Sequence, residues 1–263
     1  MSDTPPRLLT AFLLTAMTLL RNRIALMLFV LLPVLFYALI AITTTDAPVA
    51  FALAAVSADT IIEVSRREEA IVFMGLAAVG FISAFLGFYL ISRQTEVSRR
   101  LLLCGYRSWE IVVARLAVLG CAIVAVSVFS GALLLSFFTP QHLTKVVLGF
   151  TLIGMVYGCY GLLAGSIFRR ELEGVLSIVL LTNIDVAWLQ NPIFYTESKN
   201  KFVIQCLPAH MPSQVSMIGA FTDHSVRLPI AASLVYGAAL LLLAVLIFWW
   251  RMRILRTQTS GAV

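Results

Sequence analysis

The chain predicts an all-α integral membrane protein of six transmembrane helices with both termini in the cytoplasm, and three observations carry that expectation. Of its 263 residues, 60% are hydrophobic and 12% charged, about half the charged share of an ordinary soluble domain. A mean hydropathy of +0.97 is too high for a water-soluble fold. Apolar runs long enough to cross a hydrocarbon core of about 30 Å recur six times, and the segments between them alternate in positive charge.

The first element, 5–20, is apolar but too short to span. On a helical wheel Arg7, Thr10, Thr15, Thr18, Arg21 and Asn22 share one arc. Leu8, Leu9, Phe12, Leu13, Leu19 and Leu20 take the opposite face, as in an N-terminal amphipathic helix lying in the membrane interface. A signal-peptide hydrophobic region is the competing reading. The lack of an A-x-A-like cleavage site and the Arg21–Arg23 pair that follows count against it. Spans come next at 24–42, with Pro33 inside as an expected kink, and at 70–91, 111–138, 146–168, 174–190 and 228–250. The apolar run 49–58 would be about 15 Å long as a helix and is not counted as a span. Between the last two spans, 191–227 is long and semi-apolar, with Pro208 and Pro212 breaking it. Interrupted backbone persists at membrane depth only where protein or a wet cavity covers it. A re-entrant pair of short helices over 202–221 is therefore expected, with a loosely ordered surface loop as the alternative.

Six spans with both ends on one side place Arg7, Arg21, Arg23, Arg93, Arg99, Arg100, Arg107, Arg115, Arg169, Arg170, Arg251, Arg253 and Arg256 on that side. The other side holds Arg66, Arg67, Lys145, Lys199, Lys201 and Arg227. Thirteen cations against six puts the termini inside. Trp249-Trp250 beside Arg251 sits where the inner aromatic belt is expected, and Trp188 suits the outer one. The pI of about 9.4 thus reports topology. It does not point to nucleic acid, because the cations are scattered between spans and not gathered on one solvated patch.

Several chemistries are absent. There is no G-x-x-x-x-G-K-[ST], so the chain has no P-loop for ATP. His142, His210 and His224 lie outside the spans without HExxH or metal-ligand spacing, so no metal is expected. No G-x-S-x-G supplies a serine nucleophile. Cys104, Cys121, Cys159 and Cys206 form no CxxC and read as structural thiols. Glu68-Glu69 is similar to the start of the EExxxR motif of intramembrane prenyl-protein proteases, but position 73 is Phe. A solvated charge cluster with Arg66 and Arg67 is the expectation for that pair.

Within the spans, Asp185 is the exception to an almost uncharged interior. With Asn183 it is a candidate for a substrate path, or alone for a proton site. The alternative ends the helix at Asp185, which then meets water near the outer surface, and Asn191-Pro192 soon after favours this. Gly154, Gly158, Gly161 and Gly165 share one face of the fourth span. Two GxxxG steps let another helix approach closely, in this subunit or a second one.

One loop carries the sequence-specific clue. Between the second and third spans come Glu96, the basic pair Arg99-Arg100, the turn Gly105-Tyr106-Arg107-Ser108, and then Trp109-Glu110-Ile111. This resembles the loop of the type-2 ABC permease family of drug, antibiotic and lipid exporters, where a Glu, a basic pair and a turn precede Trp-Glu-Ile. The family's second Glu and its turn proline are absent here. The layout is similar as well, with an interfacial helix, six spans, both ends inside and re-entrant helices before the last span. The resemblance implies that the loop is a coupling helix seated in a cleft of a separate P-loop ATPase subunit. Arg99, Arg100, Arg107 and Glu110 would make charge-assisted contacts there, and Tyr106 and Trp109 would anchor apolar ones. It implies a second permease subunit, identical or a sister chain. ATP and Mg would be bound by the partner ATPase, with no cofactor in this chain. The expected cargo is a hydrophobic or amphiphilic small molecule, lipid or peptide, and the expected location the cell membrane. Arginines that merely set topology are the plainer account of the loop. The rival functions are an ion-coupled carrier using Asp185 and a membrane-embedded enzyme, for which no acid–base or metal constellation exists.

Overall fold

The computed structural model describes residues 7–53, 61–92, 106–168, 170–191, 194–195 and 198–260. In chain order these form α1 (Arg7–Leu20), α2 (Arg23–Thr43), a hairpin of β1 (Pro48–Ala52) and β2 (Ile61–Ser65), α3 (Arg66–Ser92), α4 (Ser108–Leu134) and α5 (Leu143–Ile167). Then come α6 (Glu171–Thr182), continued by a π-helical stretch (Asn183–Leu189), α7 (Lys201–Gln205), α8 (His210–Phe221) and α9 (Arg227–Ser260). Six helices are long and apolar enough to cross a membrane: α2, α3, α4, α5, α6 with its π continuation, and α9. This is the architecture of a multi-pass membrane protein.

Local chemistry sets several boundaries. Asn22 separates α1 from α2 because its Oδ1 accepts from the Ile24 and Ala25 backbone N–H groups, at 3.1 and 3.3 Å. Those donors have no partner inside a helix's first turn. The helix of α2 continues through Pro33. Past the hairpin, α3 begins at Arg66, four residues before the uncharged run, with Arg66 exposed and Arg67 and Glu68 half-buried, and the expected solvation of the charge cluster fails at Glu69 alone. Glu69 is carried into the first turn of α3 and is 1% exposed.

The described start of the apolar run too short to span is a strand. Pro48–Ala52 pairs antiparallel with Ile61–Ser65, a change from the purely helical expectation. Val49, Phe51, Ile61, Ile62 and Val64 are residues that suit a pleated, half-covered surface. A lone hairpin is barely stable, so its docking matters. Buried Phe51 meets Phe221 of α8 edge-on at 6.3 Å, and Phe221 stacks on Phe138 at 6.0 Å.

The packing centre is α3. Its span is 83% buried, against 17% for α2 and for α9. The largest interhelical contact joins α3 to α5, and it forms through missing side chains. A Cβ on Gly161 would overlap the Ala84 carbonyl oxygen, and one on Gly87 would overlap the Gly158 carbonyl. Main chain therefore touches main chain. Gly154 and Gly158 also receive Ile123 of α4, and Gly165 receives Ile91 of α3. The four-glycine face thus seats helices of its own chain. The same device recurs at Gly75, which leaves room for the Tyr37 hydroxyl. Buried Tyr37 lies 2.8 Å from Ser130 Oγ and ties α2 to α4.

Although too short to span, α8 is buried along nearly its whole length. Gly149 of α5 lies against the Ser216 backbone, and Gly219 lies against Lys145 and Val146. The Gln141 and His142 N–H groups donate to the Ala220 and Gly219 carbonyls at 3.0 and 2.8 Å. His142 further pairs with Asp223 at this end of the bundle.

Gly161→Val is expected to lower the thermal midpoint of the detergent-purified chain, because overpacking a tight contact costs about 1–3 kcal/mol or more. Gly120→Ala is the control. Nothing lies within 4 Å of a Cβ there, and Ala is the better helix former. An unshifted midpoint for Gly161→Val would contradict the main-chain contact.

Candidate functional site

The polar centre of the molecule forms where α6 loosens. Over Asn183–Leu189 the helix is π-helical, and the Gln190 N–H reaches back five residues to the Asp185 carbonyl at 3.0 Å. Such wide turns often accompany functional sites. Asp185 is wholly buried, which overturns the expectation that it meets water. The helix does not stop at Asp185, and α7 and α8 fold back so that their junction reaches its carboxylate.

Three donors satisfy that carboxylate. Oδ2 accepts from the Tyr157 hydroxyl of α5 at 2.5 Å and from the Ala209 N–H at 3.0 Å. Oδ1 accepts from Gln190 Nε2 at 3.1 Å. Ala209 is the N-cap of α8, and α8 has no side-chain cap of its own. Asp185 thus supplies, from another helix, the acceptor that a helix N-terminus favours.

The network continues with fixed polarity. Gln190 Nε2 also donates to the Ile204 carbonyl at 3.1 Å, so its Oε1 faces the remaining partner, His210 Nδ1, at 2.9 Å. An amide oxygen can only accept, so His210 carries its proton on Nδ1. Burial pushes the His210 imidazole down to about 4, which keeps it neutral at pH 7. Its ring lies 5.5 Å from that of Tyr195, whose hydroxyl accepts from Gln205 Nε2 at 2.8 Å. Lys201 Nζ stands 5.6 Å from the centre of the same ring. Chemically the arrangement holds a carboxylate without a cation, using aligned donors. Among the described residues no group of three His, Cys, Asp or Glu can hold a metal.

The structure separates the other candidates. Asn183 is exposed, and its Nδ2 donates to the Val179 carbonyl at 2.7 Å. It lines a groove of about 450 Å³ between α2, α3 and α6, walled by Phe36, Met74 and Phe81. Asn183 and Asp185 therefore serve different surroundings. Glu96, Arg99, Arg100 and Gly105 lie outside the described residues. Tyr106 is half-buried and Arg107 exposed ahead of α4. Trp109 is 52% exposed. Glu110 is buried, its Oε2 accepting the Arg107 N–H at 2.9 Å, so the carboxylate caps its own helix. Sequence reasoning missed Tyr157, Gln190 and His210. Tyr157 sits inside a uniformly apolar span, and nothing local to Gln190 or His210 signals that Asp185 is 24 residues from Ala209 yet bonded to it.

Asp185→Ala would strand three donors in a buried site, each at a cost of about 1–3 kcal/mol. Hydrogen exchange at the N-terminus of α8 should rise sharply, with a lower thermal midpoint; unchanged protection there would remove Asp185 from this role. His210 adds a pH dependence. Its folded pKa lies below the usual His value, so the unfolded chain binds the proton first as pH falls. Its contribution is full above about pH 6.5 and is lost towards pH 4, on the order of 3 kcal/mol. His210→Asn keeps a donor towards Gln190 and should flatten the midpoint–pH curve in that window.

Neither a family model nor a curated protein matches this chain.

Proposed function

We propose that the chain is the permease subunit of an ATP-driven ABC exporter, moving a hydrophobic or amphiphilic substrate across the cell membrane with energy from a separate ATPase subunit. The observation that carries this reading is the head of α4. There Trp109 stands exposed beside exposed Arg107, on a turn that Glu110 holds rigid from within. A large aromatic presented next to a cation at a stiff helix start has the make-up of a docking anchor. The order of elements supports it too: a short helix, an elbow, six candidate spans and a short helix pair before the last.

In this reading the loop before α4 fits a cleft of the ATPase, and ATP-driven closure pushes α4. Ile123 of α4 rests in the glycine face of α5, so the push reaches the α3–α5 pair directly. The largely unburied α2 and α9 leave faces for lipid and for a second permease subunit. The apolar groove that Asn183 lines suits an amphiphile entering from the bilayer. ATP and Mg belong to the partner.

An ion-coupled carrier is the second reading, favoured by one observation. Asp185 is a buried carboxylate inside a candidate span with no cation partner among the described residues. The two readings separate cleanly in a transport assay. Under the permease reading a P-loop ATPase co-purifies with the tagged chain in mild detergent. Trp109→Ala then loses that partner and at least tenfold of ATP-dependent transport, while its thermal midpoint stays put. If no ATPase co-purifies, and transport survives ATP depletion but stops when the ion gradient is collapsed, the permease reading fails.

A further inference from the structure

A crevice of about 610 Å³ opens where the α1–α2 elbow meets α3 and the first turn of α6. Its rim carries two guanidinium groups, Arg21 and Arg23, one on each side of the capping residue Asn22. Both are exposed, and neither makes an ion pair with a described residue. Phe85 and Phe88 of α3 supply an apolar aromatic part of the lining, Thr18, Tyr89 and Ser92 add hydroxyl-bearing side chains, and Glu171 stands on the α6 side. Two cations beside an aromatic surface, at the level where a candidate span begins, match the two halves of one amphiphile.

We propose that this crevice is a phospholipid site of the inner leaflet, with the lipid phosphate held by Arg21 and Arg23 and the glycerol and upper acyl chains lying over Phe85 and Phe88. Three features select a lipid over free phosphate. The cavity is in the size range of a drug-sized ligand, far more than one inorganic ion fills. Its aromatic part, Phe85 and Phe88, gives nothing to a hydrated ion but covers apolar chain. From its mouth an exposed strip of Ile24, Met27 and Leu31 runs along α2, on a face that spacing of three and four residues makes continuous. An acyl chain leaving the crevice has an apolar track to follow. Basic pockets between helices at the cytoplasmic side are where lipid headgroups are held, and the elbow belongs to the arginine-rich side of this chain. Guanidinium forks bind phosphate oxygens in pairs, so two of them flanking one turn fix the headgroup's position as well as its charge. The site is independent of the permease reading, since it uses no residue of the loop before α4.

Native mass spectrometry of the full chain, titrated in mixed micelles with dioleoylphosphatidylglycerol, tests this. The wild type should retain one phospholipid mass per chain, and millimolar inorganic phosphate should not displace it. R21Q/R23Q should bind roughly 30-fold more weakly, from about fivefold per surface cation, and R21K/R23K, which keeps the charge without the forks, should fall between the two. A wild type that retains no lipid overturns the proposal, as does displacement by phosphate alone or equal retention by R21Q/R23Q. The wild-type competition stands whether or not the variants fold.

Discussion

Two helices in a bilayer gain little by hiding apolar side chains from each other, because lipid tails are as apolar as leucine. What holds α3 beside α5 is the absence of a Cβ at Gly161 and Gly87, which lets carbonyl oxygens meet the opposite backbone. At that range dispersion contacts are dense, and Cα–H groups can approach carbonyl oxygens. Everything else is placed relative to this pair. Ile123 of α4 fills the rest of the glycine face, Tyr37 of α2 reaches across Gly75 to α4, and α8 lies against Gly149. Helices that lean on the pair from outside, α2 and α9, bury least.

The second constraint is electrostatic. A carboxylate in an apolar interior is costly unless its oxygens find donors. Both oxygens of Asp185 do, with donors from α5, from the residue just past the π-helical stretch, and from the backbone that opens α8. Each donor comes from a different element, so the carboxylate acts as a common fastening point. The π-helical stretch is what brings side chain and partners together, since a regular turn at the same place would rotate Asp185 relative to Tyr157.

Much of the bundle was legible in composition and periodicity. Six apolar runs correspond to six helices of span length, because a continuous apolar run of about 20 residues has few alternatives. The helices begin up to four residues earlier than the runs, as at Arg66, since charged residues extend a helix without entering the apolar window. The hairpin at Pro48–Ala52 escaped notice because length rules out a span without saying what replaces it. The glycine spacing announced a close approach but not its partner, which depends on how the chain folds back. Asp185 was visible as an anomaly, whereas its burial depends on Ala209, and no local pattern encodes that distance. In the sequence Trp109 and Glu110 both point to the docking loop, one as an apolar anchor and the other as a charged contact. The structure splits them into an exposed aromatic and a buried cap.

The enclosure of α8 also has a consequence for how the molecule is made. This helix lies among α3, α5 and α9, yet it leaves the ribosome after the first two and before the third. Tyr157 and Asp185 are therefore already synthesised when the Ala209 N–H emerges to donate to the Asp185 carboxyl. The last long helix can then close over an occupied slot. Synthesis thus delivers the enclosed helix before the last of its three neighbours, and a permuted gene that delivered α9 ahead of α8 would reverse that order.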